Sequence, residues 1–128
     1  MALKLALKPH ERMILGGTVI TNGNSKTDLI IENEVPLLRE KDIMSEADAT
    51  SPTRRIYFII QLMYVDSDNM RTYHDRYWEL VRDLVDAAPS LLGIIDQISE
   101  LIVGNQYYQA LKLAKTLIKY EEEVTSCV

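Results

Sequence analysis

The chain carries two imidazoles, His10 and His74, and one thiol, Cys127. Zinc sites draw their His and Cys ligands from closely spaced pairs, and three residues this far apart supply none. Gly16-Gly17 lacks the lysine and the following helix of a phosphate-binding loop, and no Gly-x-Ser-x-Gly elbow is present. The acid pairs Asp83/Asp86 and Asp96/Glu100 stand at i,i+3 and i,i+4, a spacing that exposed helix faces carry routinely. His74-Asp75, set among Arg71, Arg76 and Glu79, reads as a solvated helix face. The sequence is therefore read as non-enzymatic, with no metal and no cofactor. Cys127, next to the end, reads as a bystander thiol.

The remaining chemistry is cationic. Nucleic-acid binding needs cations for phosphates and flat or hydrogen-bonding groups for unstacked bases. Lys4 and Lys8 lie on the polar side of an alternating segment, Leu3-Lys4-Leu5-Ala6-Leu7-Lys8. Arg39 and Lys41 stand in Leu38-Arg39-Glu40-Lys41-Asp42-Ile43-Met44. Arg54-Arg55 opens Pro52-Thr53-Arg54-Arg55-Ile56-Tyr57-Phe58. Arg12 and Lys26 complete the cations of this half. The candidate RNA contacts are Arg39, Arg54, Arg55, Lys4, Lys8 and Lys41. Arginine forks onto phosphate and stacks on exposed bases, so the three arginines rank first. The competing expectation pairs Arg54 and Arg55 with Asp42, Glu46 or Asp48 as a structural brace.

Charge argues against a general polyanion binder. The net charge of the 128 residues is −5. Residues 1–55 hold eight Lys/Arg and eight Asp/Glu, and residues 56–128 hold six and eleven, so the acidic excess lies wholly in the second part. A nucleic-acid binder usually shows a basic footprint; any footprint here is local and N-terminal. A length of 128 residues predicts one domain. Hydrophobic and charged contents of 47% and 26% are those of a globular protein. No apolar run is long enough to span a membrane, and Met1–Pro9 is too interrupted for a signal peptide. A single cysteine fits a reducing cytoplasm, which is the expected location.

Periodicity places these residues on elements. Residues 3–8 alternate strictly and predict a strand ended by Pro9. Residues 12–21 predict a second strand with a bulge or bend at Gly16-Gly17. Asn22-Gly23-Asn24 predicts a hairpin turn into a third strand over 26–32, and a short fourth strand is expected near 35–39. Ser45–Ser51 reads as a polar connection. Ser51-Pro52 then opens a helix to about Val65, burying Ile56, Ile59 or Ile60, and Met63. A second helix over 68–87 carries the stripe Tyr73, Tyr77, Leu80, Val81, Leu84 and Val85, with Trp78 either at the edge of the core or an exposed anchor for a partner. A third runs from Ser90 to about Val103. Gly104-Asn105 turns into a fourth over 106–123, where Glu121-Glu122-Glu123 reads as a solvated, fraying end. The expected fold is α+β: a small N-terminal antiparallel β-sheet followed by about four C-terminal α-helices. The open edges of so small a sheet, with Leu3, Leu5, Met13, Val19 and Ile31 to cover, predict a homodimer.

Three blocks in order, Leu38–Met44, Arg54–Phe58 and Ala110–Glu121, resemble the FlbT family, and the likeness covers nearly the whole chain. It implies a single FlbT-like domain over 1–128, β-rich over 1–44 and helical over 50–125. It also implies a post-transcriptional regulator that binds the 5′ untranslated region of flagellin mRNA and represses its translation or promotes its decay, with host ribonucleases doing the cleavage. Some relatives instead support flagellin expression. A FlaF-like flagellar regulator is the implied partner protein. Leu37–Ile43 is also similar to the stretch that ends the sheet of carbon storage regulators, small β-rich RNA binders, which puts Arg39 first among the cations to test. The alternative is a protein–protein adaptor in flagellar assembly, whose acidic helical half binds a partner and whose RNA association is indirect.

Overall fold

The structure is a computed structural model and describes residues 2–126; Cys127 lies outside the described residues. Five strands come first: β1 (Leu3–Leu7), β2 (Arg12–Leu15), β3 (Thr18–Thr21), β4 (Thr27–Ile31) and β5 (Leu37–Arg39). Four helices follow: α1 (Pro52–Val65), α2 (Met70–Ala87), α3 (Leu92–Val103) and α4 (Tyr107–Ser126). This is the expected α+β order. The chain divides into two compact units with the boundary between Ile43 and Met44.

The β unit holds two antiparallel sheets rather than one. β1 pairs with β4, and β3-β2-β5 form the other sheet. The single strand expected over residues 12–21 is a hairpin. Leu15 pairs with Thr18, so Gly16-Gly17 is a two-residue loop rather than a bulge. Gly16 has φ +63, which the primed hairpin turns need at their first position and glycine supplies without strain. Asn22-Gly23-Asn24 accordingly does not close a hairpin; it carries the chain from one sheet to the other. Alternation then does its ordinary work. Leu5 and Leu7 of β1 pack with Met13 of β2 in one cluster, joined by Leu15, Ile20, Leu29, Ile31 and Leu37. The two sheets thus cover Leu5 and Met13 within the unit, while Leu3 and Val19 stay exposed.

The helical unit follows its sequence signals closely. Ser51 caps α1, its hydroxyl accepting the Arg54 N–H at 3.3 Å, and Pro52 occupies the first turn. Ile56, Ile59, Ile60 and Met63 are all buried. Asp66 ends α1 and accepts the Asp68 N–H. The turn after α3 is a Schellman motif: Gln106 N–H donates to Leu101 O and Asn105 N–H to Ile102 O. Its left-handed residue is Asn105, φ +59, rather than Gly104. α1 lies against α2 and α4, and α3 against α4. A hydrogen bond of 2.8 Å between Tyr77 Oη and Ser99 Oγ joins α2 to α3, so each helix meets two others around a core of Ile56, Ile60, Tyr77, Ile98, Ile102 and Leu117. The connection before α1 is ordered. Ser45 caps a short turn at Glu46–Asp48, and the buried Gln61 side chain clasps Met44, accepting its N–H at 2.8 Å and donating to its carbonyl at 2.9 Å. No helix among the described residues is long and apolar enough to cross a membrane.

Candidate nucleic-acid interface

Pro9 ends β1 and starts a tight turn. Glu11 N–H donates to Lys8 O at 3.1 Å, with Pro9 second and His10 third, at φ +62. Proline followed by a positive φ is type II turn geometry. The turn is pinned from the next hairpin. Asn22 Nδ2 donates to Lys8 O at 2.9 Å, and Asn22 N–H donates to Glu11 O at 2.8 Å. The turn faces the end of β5, so Lys8, Pro9, His10, Glu11, Arg39, Glu40 and Lys41 line one cleft of about 410 Å³.

Arg39 is the fixed element of this cleft. Met13 pairs with Arg39 across the sheet, which puts Arg39 on the face turned toward the other sheet. Its Nη2 donates to Ala6 O of β1 at 2.8 Å. Nη2 also donates to Glu11 Oε2 at 2.8 Å and Nε donates to the same oxygen at 3.2 Å. Glu11 Oε1 accepts the Lys8 N–H at 2.9 Å. That backbone bond, followed by the Arg39 guanidinium, holds the Glu11 carboxyl below its usual range. Arg39 therefore stitches β5 to β1 with one edge of its guanidinium. Its Nη1 group makes no hydrogen bond to the described residues. Lys8 and Lys41 are exposed, and neither forms an ion pair with the described residues.

The structure gathers three of the six candidates, Lys8, Arg39 and Lys41, in this cleft. Lys4 stands elsewhere on β1, exposed and 3.7 Å from Asp28, a pair worth little in water. Arg54 and Arg55 belong to the helical unit and diverge along α1. Arg54 Nη2 donates to Glu122 at 2.7 Å and Nη1 lies 3.8 Å from Glu121. Glu121 also accepts the Thr53 N–H at 3.5 Å. The acidic run at the end of α4 is thus a counter-charge for Arg54 and for the free amides of the α1 N-terminus, and α4 continues past it to Ser126. The pairing of Arg54 and Arg55 with Asp42, Glu46 or Asp48 is not what the structure shows: Arg54 pairs with Glu121 and Glu122 and ties α1 to α4 within the helical unit. Arg55 lines a groove with Arg76, Phe58 and Leu80 and forms no ion pair with the described residues.

Sequence reasoning passed over three residues near these sites. His10 and Asn22 were legible only as loop residues, although a proline followed by a non-glycine in a turn was a usable signal for His10. Arg71, Asp75, Arg76 and Glu79 form the exposed face expected, but His74 is half-buried: its Nε2 lies 3.4 Å from Tyr107 Oη and the rings meet edge to face. Trp78 packs edge-on against Tyr77, ring centroids 5.0 Å apart. It remains 42% exposed, beside Leu92 at 48% and Val103 at 73%. These three line a groove between α2 and α3 with Asp96 and Glu100. No cluster of three or more His, Cys, Asp or Glu among the described residues could hold a metal ion.

The fold and this surface define a small two-unit α+β protein whose β unit carries, at a strand turn, a cleft lined by Lys8, Arg39 and Lys41 together with Glu11 and Glu40. The chain belongs to the FlbT family: residues 3–125 match the model described as flagellar protein FlbT. It is 47% identical over 125 residues to a Bradyrhizobium diazoefficiens protein named probable flagellum biosynthesis repressor protein FlbT 1, covering 97% of this chain and 85% of that one. A Rhodopseudomonas palustris relative is 40% identical over 126 residues, 98% and 99% of the two chains. The Caulobacter vibrioides flagellum biosynthesis repressor protein FlbT is 36% identical over 125 residues, 96% and 89%. The family is one of flagellar proteins and not a known class of enzymes. No solved structure gives a significant match.

Proposed function

We propose that this protein restrains flagellum biosynthesis, the role its relatives' names carry. It does so without catalysis, by binding the single-stranded 5′ untranslated region of flagellin mRNA in the cytoplasm, where the bound transcript is not translated or is handed to ribonucleases. The observation that carries this reading is the convergence of Lys8, Arg39 and Lys41 on one cleft in a protein of net charge −5. Glu11 neutralises Arg39 and fixes it in place, so the guanidinium is oriented before the ligand arrives. Lys8 and Lys41 reach for phosphates, and with Glu40 on the same lining the three cations exceed the two carboxylates. Lys4 adds a phosphate contact at the far end of β1. Arg54 is committed to α4 and contributes least.

A second reading is favoured by the apolar groove beside Trp78. Its Asp96 and Glu100 suit an amphipathic partner helix that sets Lys or Arg beside apolar residues, and a FlaF-like regulator is the partner proposed there. In that case contact with RNA is indirect. Fluorescence anisotropy of purified protein with a labelled flagellin leader RNA separates the two. Direct binding that Lys8→Ala with Lys41→Ala weakens, and Trp78→Ala does not, supports the first reading. No binding by the wild-type protein alone refutes it.

A further inference from the structure

His10 stands at a turn position where glycine or asparagine is usual. The third position of a type II turn has positive φ, where glycine is relaxed and a β-carbon is strained. His10 sits there at φ +62 and is not allowed to relax. Its own N–H donates to Gly23 O at 2.9 Å. The turn around it is tied by Glu11 N–H to Lys8 O, by Lys8 N–H to Glu11 Oε1, and by Asn22 to Lys8 O. The imidazole gains nothing internal in return: it is exposed and makes no hydrogen bond to the described residues. Strain of this kind, held by its surroundings, concentrates at functional positions. What distinguishes histidine from the glycine or asparagine that would suit the turn is a flat aromatic face with ring nitrogens. His10 lines the same cleft as Lys8, Arg39 and Lys41.

We propose that His10 stacks on an unpaired base while Lys8, Arg39 and Lys41 hold the flanking phosphates, so that the cleft takes a nucleotide of single-stranded RNA and not a phosphate alone. This rests on the RNA-binding reading above and adds the base-reading element to it. Stacking platforms favour unstacked bases and tolerate sequence, so a fully paired duplex would be bound weakly.

The test uses the full chain, the wild type and His10→Gly, with three probes: a single-stranded leader RNA, a fully paired duplex of that sequence, and inorganic polyphosphate. Glycine relieves the turn, so the variant is expected to fold with an unfolding midpoint no lower than the wild type's. Loss of a stacked base lowers affinity for the single strand by about 5- to 150-fold and leaves polyphosphate binding unchanged. If His10→Gly binds the single strand as the wild type does, the stacking role is overturned while the RNA-binding reading stands. If both polyphosphate and RNA binding fall together, His10 acts through charge or turn geometry, and the stacking role is again overturned. If the wild type binds no RNA, the parent reading fails and this one with it.

Discussion

Removing Arg54 tests whether a conspicuous arginine pair is machinery or masonry. Arg54 lies in the first turn of α1, where a cation opposes the helix dipole. It is kept there by Glu122 at 2.7 Å and Glu121 at 3.8 Å. The Arg54 side chain is 30% exposed and that of Glu122 is 57% exposed, so screening limits the pair. An exposed pair is worth about 0.2–1 kcal/mol; two acidic partners add to this and the unfavourable place on the helix dipole subtracts, so Arg54→Ala is expected to cost about 1 kcal/mol. The assay is a double-mutant cycle of Arg54→Ala and Glu122→Ala by urea unfolding at pH 7. The coupling energy is expected at about 0.5–1 kcal/mol in low salt. It should shrink in 1 M NaCl, where the screening length falls to about 3 Å. The same variants should bind leader RNA nearly as the wild type does. A coupling energy near zero, or a loss of RNA affinity without loss of stability, would refute the brace and return Arg54 to the RNA surface.

Three other outcomes follow from the geometry. Gln61→Leu strands the N–H and carbonyl of Met44, so urea unfolding should show a loss of about 1–3 kcal/mol. Burial pushes the Tyr77 hydroxyl up to about 12; a raised folded value stabilises below the unfolded one and is lost as pH rises through it. Between pH 9 and 11.5 the wild type should therefore lose about 2 kcal/mol that Tyr77→Phe does not. Glu11 has a lowered value, so its contribution is present above the ordinary 4.5 and disappears as pH falls below it. Unfolding free energy measured from pH 6 to pH 3 should slope less steeply in Glu11→Gln.

Most of the fold was legible because its signals are local. Ser51-Pro52, Asp66 and Ala88-Pro89 punctuate the helices within a few residues of where they begin and end, and the helical stripe over Tyr77, Leu80, Val81 and Leu84 is the buried one. What was hidden depends on partners far away in the chain. Gly16-Gly17 fits a bulge or a hairpin equally well until Leu15 is known to pair with both Thr18 and Leu37. Glu121 and Glu122 look misplaced on α4 alone and become intelligible only beside α1. The candidate site divided in the same way. Lys8, Arg39 and Lys41 could be named from charge and position. Their convergence requires the Pro9–His10 turn and the crossing of β5 to β1, and no periodicity encodes either.

The central claim is direct contact between the cleft and RNA, and the salt dependence of binding addresses it most closely. Each phosphate neutralised on a single strand adds about −0.7 to the slope of log K against log salt. With Arg39 neutralised by Glu11, phosphate contacts from Lys4, Lys8 and Lys41 predict a slope of about −2 for the wild type with leader RNA. Lys8→Ala with Lys41→Ala leaves the Arg39 clamp intact and should reduce that slope by about 1.4, with an unchanged unfolding midpoint. Binding that is absent, or that keeps its slope in the double variant, would contradict the claim.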